Sequence, residues 1–581
     1  MLKSISKTIL RRIEGRFRIL YGDQAPHLVN RLFMLVGRYG VGLNGMSNGQ
    51  GAQWNQTDRV LITYGDMVRR DGESPLHTLD YVVRERLHGM VNTVHILPFY
   101  PYSSDDGFSV IDYRAVDQAL GNWSDIKRMG QHTRLMFDLV LNHVSRQSAW
   151  FRNYVSGIAP FSEFFIEAPE GADVSGVVRP RSLPLLSETA TRAGKRHVWT
   201  TFSADQVDLN FANPDVLFEF LDILFWYIAH GARIIRLDAI AYLWKQMGTT
   251  CIHLPETHEI VKLFRDVVDM VAPYVLLLTE TNVPHEENIS YFGEGDEAHM
   301  VYQFSLPPLL AHALLTSNAS RLTTWAASLP DLPTGQTFFN FTASHDGVGV
   351  RPLQGLLSDH EFKQLLQHVE QMGGRISYKQ NSDGSESPYE LNITYFDLLG
   401  EPDRPVTESQ IQRFLSSQAI MLAMRGVPAI YFNSLFGARN NLQGAEGTGR
   451  HRTINREKWV ADDLMARLDN PQTLEHRIFQ SISRMLRVRG EHSAFHPDAP
   501  QRVPDLGPDV FAIERIPLDG TAPVTSLTNV TDHDVTLTVD KRLPALQSLG
   551  AWKDLLHHET ATDKPKSIRL APWQTVWLTR S

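Results

Sequence analysis

A chain of 581 residues with 56 Lys and Arg against 65 Asp and Glu carries a formal net charge of −9, which argues against nucleic acid or an anionic membrane as its main partner. Its 42% hydrophobic and 21% charged residues are those of an ordinary soluble globular protein, long enough for one large barrel with appendages. The single cysteine, Cys251, excludes an internal disulfide and a thiolate metal cluster and fits a reducing, cytoplasmic location.

The first segment, MLKSISKTILRRIEGRF, is basic and amphipathic, with Ile5, Ile9 and Ile13 spaced to line one helical face. It lacks the unbroken apolar run of about seven residues that a secretory signal needs. An organelle transit peptide is the competing reading; a helix packed on the body of the protein is preferred. No stretch approaches the roughly 20 apolar residues needed to cross a bilayer. Residues 1–57 are expected to form an N-terminal helical extension.

Eight short apolar runs follow, alternating with helical stretches. They are VLITYGD (60–66), VNTVHILPFYP (91–101), RLMFDLVLNH (134–143) and ARIIRLDAI (232–240). Then come YVLLLTETN (274–282), MVYQF (300–304), TFFNFTASHD (337–346) and VPAIYFNSL (427–435). Most are apolar on both faces, as buried parallel strands are. Eight such units predict a closed (β/α)8 barrel, the TIM barrel, over 58–143, 216–346 and 396–490. Two connections are too long for simple crossovers, so subdomains are expected at 144–215, after the third strand, and at 347–395, after the seventh. The first ends before a helix at about 214–230; the second carries KQNSDGSESP (379–388). Beyond 490, VFAIERI, VTSLTNV, DVTLTVD and TVWLTRS alternate as a C-terminal antiparallel β domain, 491–581.

Polar residues gather where a barrel enzyme keeps its chemistry, at the C-terminal ends of strands. These are Asp138, Asn142 and His143 on the third strand, Arg236 and Asp238 on the fourth, Glu280 on the fifth, and His345 and Asp346 on the seventh. A single buried carboxylate at a strand end is as readily structural as functional. Three, with two histidines and an arginine, point to a site. Retaining cleavage of a glycosidic bond uses one carboxylate to attack the anomeric carbon and one carboxylic acid to protonate the leaving oxygen. Arg236 shares a strand face with Asp238 and is expected to hold it ionised. Glu280 follows VLLLT, apolar enough to raise its pKa.

At these residues, and across about 58–460, the sequence resembles glycoside hydrolase family 13, the α-amylase family. DLVLNH (138–143), RLDAI (236–240), TETN (279–282) and SHDG (344–347) match its four signature regions in order. The resemblance implies Asp238 as nucleophile, Glu280 as acid/base, Asp346 as transition-state stabiliser, and His143 and His345 as sugar-binding histidines.

Within that family the chain looks like the sucrose phosphorylase branch. SSDDGFSVIDY (103–113) places Asp105 and Phe108 against bound glucose, and Arg452 in GRHRTINR matches an arginine that pairs with Asp105 and closes the pocket. RPRSLP, TTFSADQVDLN and RLDAIAY carry Arg181, Phe202, Gln206 and Tyr242 to the acceptor and phosphate side of the substrate. Without the resemblance, Arg181 reads as a solvated loop charge and Tyr242 as core packing.

Two departures fall on the acceptor side. Asn282 stands where sucrose phosphorylases have histidine, and Tyr389 is followed by Glu390 where glutamine is expected. The N-terminal extension, ETNVPHEENI, AHMVYQFSLPP and DGSESPYELNITY are similar to glucosylglycerate phosphorylases, a sister group. The implied activity is retaining phosphorolysis of 2-O-α-glucosylglycerate to α-glucose 1-phosphate and glycerate. Sucrose, glucosylglycerol or sucrose phosphate are the alternative substrates, and hydrolysis or transglucosylation the alternative reactions. Non-catalytic transporter partners share this fold, but lack the carboxylates and carry a membrane helix. No metal or cofactor is expected, nor a nucleic-acid or membrane partner; the molecule is expected as monomer or homodimer.

Overall fold

The eight apolar runs become eight parallel strands that close on themselves. They are β1 (Val60–Thr63), β2 (Thr93–Ile96), β3 (Arg134–Val140), β4 (Ala232–Asp238), β5 (Leu276–Thr279), β6 (Met300–Tyr302), β7 (Thr337–Asn340) and β8 (Val427–Tyr431). Each pairs with its neighbours in chain order, and β8 returns to β1. The computed structural model describes residues 7–44, 53–381, 383–548, 550–561 and 566–581; Ile5 lies outside them.

Burial on both faces explains why the runs are so apolar. The interior of a barrel is filled by side chains and its outside is covered by helices. The helix Pro214–Ala229 shows how one crossover is built. The Asn213 side chain accepts a hydrogen bond from the Asp215 N–H, Pro214 opens the first turn, and a continuous apolar face leads the chain into β4. The β3/β4 register sets Arg236 opposite Asp138, and β4/β5 sets it opposite Leu278.

The long connections are partly ordered by short strands that fold back on the barrel mouth. His143–Ser145 pairs antiparallel with Gln206–Asp208, so the far end of the first insertion returns beside the end of β3. Between them lie the helix Ala149–Val155 and the hairpin Leu186–Thr191/Gly194–Trp199. After β7, Val348–Gly349 pairs with Glu386–Asn392, which forms a hairpin with Arg375–Gln380. At the C-terminus, Val510–Arg515, Val524–Asn529 and Thr575–Arg580 belong to one six-stranded sheet. The third alternating run, which holds Val535–Thr538, instead pairs with Ser567–Leu570 in a separate two-stranded sheet.

The N-terminal segment forms α1 (Lys7–Tyr21) and α2 (Ala25–Asn44). Ile13, Phe17 and Tyr21 are its buried stripe. Phe17 stacks on Phe218 with ring centroids 5.9 Å apart, and the Tyr21 hydroxyl donates to the Phe211 carbonyl at 2.9 Å. Cations flank the stripe: Arg12 meets Asp266 at 2.7 Å, and Arg16 meets Asp296 at 2.8 Å and Glu259 at 3.1 Å. Apolar burial holds the helix on and the ion pairs set its orientation. No helix among the described residues is long and apolar enough to cross a membrane.

Truncating Phe17, which is fully buried, is expected to lower unfolding free energy by about 3–5 kcal/mol. Denaturant unfolding of Phe17→Ala, with hydrogen exchange over residues 7–21, checks this; unchanged exchange there would mean that α1 is held mainly by its ion pairs.

Candidate active site

The C-terminal mouth of the barrel holds a partly open pocket of about 590 Å³, the open space at its entrance included. Of the site residues named from sequence, Asp138 and Asn142 lie outside its lining, and every other one lines it except Arg236 and Glu390. Those two stand directly behind the lining and hold lining residues by ion pairs.

At the closed end, Arg236 is the shared cation. Its Nη1 lies 2.5 Å from both Asp138 Oδ1 and Asp238 Oδ1, and its Nη2 lies 3.8 Å from Glu280 Oε2. Behind it, His95 Nε2 donates to the second oxygen of Asp138 at 2.7 Å. His95, Asp138 and Arg236 are all buried, so the cluster is poorly screened. Ala239, next after Asp238, adopts a left-handed conformation with φ 52° and donates its N–H to Glu280 Oε2 at 3.2 Å. A non-glycine residue takes that conformation at a cost; here it ties the end of β4 to Glu280.

Burial raises the pKa of Asp238 well above the usual carboxylate range, with the charges of Glu280, Asp138 and Asp346 adding to it, although Arg236 opposes them. Arg236 therefore works against burial on Asp238 rather than setting its pKa alone. Burial also raises Glu280, again against Arg236. Two adjacent carboxyls of this kind titrate as one system that retains a single proton over a wide pH range. The contact of Arg236 is closer to Asp238 than to Glu280, which favours the anion on Asp238 and the proton on Glu280. Such a pair presents one nucleophile and one acid to the same ligand.

Asp346 differs. Burial acts to raise its pKa, but Arg452, His345, Arg456 and Arg236 together hold it well below the carboxylate range. Arg452 Nη1 sits 2.5 Å from its Oδ1. Burial drives His345 well below its ordinary pKa and lowers that of His143, so both rings are neutral near neutral pH. His345 stacks on Phe108 at 4.9 Å, and His143 Nε2 donates to the Phe108 carbonyl at 3.0 Å. Phe108 is thereby wedged between them. Gly107, with φ 110°, makes the turn that aims it; a Cβ there would lie 2.5 Å from the Pro98 carbonyl oxygen.

The expected Asp105–Arg452 ion pair does not form among the described residues. Arg452 is taken by Asp346 and by Glu390, 3.0 Å from its Nη2, and Asp105 accepts instead from Gln206 Nε2 at 3.3 Å. The neighbouring residues make the bridge between the two loops. Asp106 pairs with Arg450 at 3.1 Å and with Arg456, whose Nε donates to the His345 carbonyl at 2.8 Å. Both aspartates have positive φ, and that tight turn points Asp106, not Asp105, at the arginine segment.

On the open side, Tyr242, Asn282, Tyr389 and Arg181 face the cavity. Arg181 reaches to 3.9 Å from Glu390 and lies 5.9 Å from the Tyr389 ring centroid. Glu390 is almost fully buried and accepts from the Gly347 N–H, so it locks Arg452 rather than lining the pocket. Phe202 packs edge-on to Tyr242 at 5.5 Å and against His143 at 5.1 Å.

Sequence reasoning missed His95, Asp106, Arg456 and Lys245. Lys245 is buried, 2.6 Å from Asp208 and 2.5 Å from Asn142. His95 carried a legible signal, a histidine inside the apolar run VHILP; the others carried none.

Residues 77–346 match the catalytic domain of α-amylase. The chain is 50% identical over 478 residues to a glucosylglycerate phosphorylase of Spirochaeta thermophila, covering 82% of this chain and 81% of that one. It is 45% identical over 534 residues to a glucosylglycerate phosphorylase of Allomeiothermus silvanus, covering 92% and 94%. The chain belongs to this phosphorylase group of the α-amylase family. The crystal structure of sucrose 6F-phosphate phosphorylase from Thermoanaerobacter thermosaccharolyticum superposes with a TM-score of 0.71 at 25% identity, over 84% of this chain and 96% of that one.

In this phosphorylase, replacing Arg236 by Gln removes the charge that opposes protonation of Asp238. With that charge gone the pKa of Asp238 rises further, so a smaller fraction is ionised at a given pH. The acidic limb of the kcat/KM profile is expected to move to higher pH by about 1–3 units. A pH–rate profile on folded Arg236→Gln checks this, and an unmoved limb would contradict it.

Proposed function

We propose that the protein is a retaining glucosylglycerate phosphorylase, which converts 2-O-α-glucosylglycerate and inorganic phosphate into α-glucose 1-phosphate and glycerate. The observation that carries the reading is the 45–50% identity to glucosylglycerate phosphorylases over most of both chains.

Asp238 attacks the anomeric carbon as Glu280 gives its proton to the departing glycerate oxygen, leaving a β-glucosyl ester on Asp238. An oxygen of hydrogen phosphate then attacks the same carbon, its proton returns to Glu280, the ester bond to Asp238 breaks, and two inversions return the α configuration. Asp346, kept anionic by Arg452, binds the glucosyl hydroxyls and gains strength as positive charge builds on the ring. His143, His345, Phe108 and Asp105 surround that glucosyl unit, with Gln206 tied to Asp105. Neutral His345 adds no charge there, and neutral His143 spends its Nε2–H on the Phe108 carbonyl and so fixes the ring that faces the sugar.

Phosphate has to enter a cavity already lined by three carboxyls, and Coulomb repulsion opposes it unless a cation compensates. Arg181 is that cation, since a guanidinium grips two oxygens of phosphate or carboxylate at once. Tyr242, Tyr389 and Asn282 complete the acceptor side, with Glu390 fixing Arg452 behind them.

Asp238→Asn and Glu280→Gln are each expected to lower turnover of glucosylglycerate by about 10³-fold or more. A residual rate of one tenth of wild type would remove the role given to that residue.

Arg181→Ala is expected to lower the ratio of phosphorolysis to hydrolysis by at least about tenfold. Glucose 1-phosphate and free glucose released from glucosylglycerate measure that ratio directly. An unchanged ratio takes Arg181 out of the phosphate site, and a wild-type enzyme indifferent to phosphate overturns the phosphorylase reading.

A further inference from the structure

Five residues beyond Asp346, the chain places a second arginine on the acceptor side. The Val350 N–H donates to the Tyr389 carbonyl at 3.1 Å. Gly349 passes so close to Asn282 that a Cβ there would lie 2.5 Å from its side-chain oxygen. Arg351 therefore leaves a segment clamped against two residues of the cavity lining. Its guanidinium has an Nη1 that is buried and without a hydrogen-bond acceptor among the described residues. The carboxylates of this region are engaged elsewhere, Glu287 with His253 at 3.1 Å and Glu390 with Arg452 at 3.0 Å.

The charge of Arg351 is felt inside the cavity. Burial raises the pKa of Tyr242, and Arg351 opposes that rise more strongly than Arg181 does. Burial likewise raises Tyr389, where the order of the two arginines is reversed. Both guanidinium groups thus act on the pair of tyrosines, Arg351 more strongly on Tyr242 and Arg181 more strongly on Tyr389. A buried N–H of a charged group left without an acceptor is costly, and a ligand oxygen offsets that cost.

We propose that Arg351 is the second cation of the anion subsite, donating through Nη1 to one oxygen of phosphate or of the glycerate carboxylate while Arg181 holds another. This assignment rests on the phosphorylase reading above. Arg351 is not itself part of the cavity lining, so the assignment requires its side chain to turn toward the anion when the anion binds. Two guanidinium groups against one buried set of carboxyls explain how a single pocket accepts two anions in turn and disfavours neutral acceptors.

The test uses α-glucosyl fluoride as donor, because its leaving group carries neither phosphate nor glycerate and the glucosyl enzyme forms without the subsite. Transfer to phosphate, to glycerate and to glycerol is measured for the wild type, Arg351→Gln and Arg351→Lys. In Arg351→Gln, kcat/KM for each anion is expected to fall relative to glycerol by at least about tenfold, and Arg351→Lys regains part of the loss for phosphate. Anion-to-glycerol ratios that stay at the wild-type value, including the case in which all three transfers fall together, overturn the assignment. A wild type whose fluoride-driven transfer prefers neither anion over glycerol sinks the phosphorylase reading instead, whatever the variants do.

Discussion

One guanidinium, that of Arg236, makes the catalytic end of the barrel possible. Asp138, Asp238 and Glu280 crowd together where water is largely excluded, and like charges at such separations repel by several kcal/mol in a protein interior. Arg236 touches the first two and reaches toward the third. Removing one partner of such a cluster leaves an uncompensated buried charge, at a cost of about 3–5 kcal/mol. The strand register that puts Arg236 opposite Asp138 is therefore as much a part of the chemistry as the carboxylates are. His95 extends the chain of contacts one residue deeper, to β2.

The site divides along the architecture. The end that surrounds the reacting carbon is carried by barrel strands, whose eightfold closure fixes positions tightly. The acceptor side takes Tyr242 and Asn282 from just past β4 and β5 and Arg181 and Tyr389 from the two long connections, each of which a short antiparallel pairing returns to the barrel mouth. Gln206 meets His143 because Gln206–Asp208 pairs with His143–Ser145. Glu390 meets Gly347 and Arg452 because Glu386–Asn392 pairs with Val348–Gly349. Acceptor preference can thus change through these connections while the strands keep the glucosyl chemistry unaltered.

Much of this was legible in the linear chain. Buried parallel strands must be apolar on both faces, so eight such runs announced eight strands, and each polar residue that breaks a run announced a strand end. Asp238, Glu280 and Asp346 stand out for that reason, and His95 was readable by the same logic within VHILP. The run DVTLTVD was legible as a strand but not as a member of a particular sheet, because alternation reports one buried face and says nothing of the partner.

Sequence by itself determined the barrel, the order of its strands, and the residue types that ring its mouth, because these follow from local apolar periodicity and from polar residues placed at strand ends. Only the tertiary structure decided who pairs with whom among the charges. Arg452 and Arg456 are four residues apart, and Asp105 and Asp106 are adjacent, so spacing could not say which arginine meets which aspartate. The left-handed turn at Asp105 and Asp106 settled it, sending Asp106 to Arg456 and leaving Arg452 to Asp346 and Glu390. Which of Asp238 and Glu280 keeps the proton was decided in the same way. A neighbouring arginine is visible in the chain, but the burial that raises both carboxyls and the closer approach of Arg236 to Asp238 than to Glu280 exist only in the folded site.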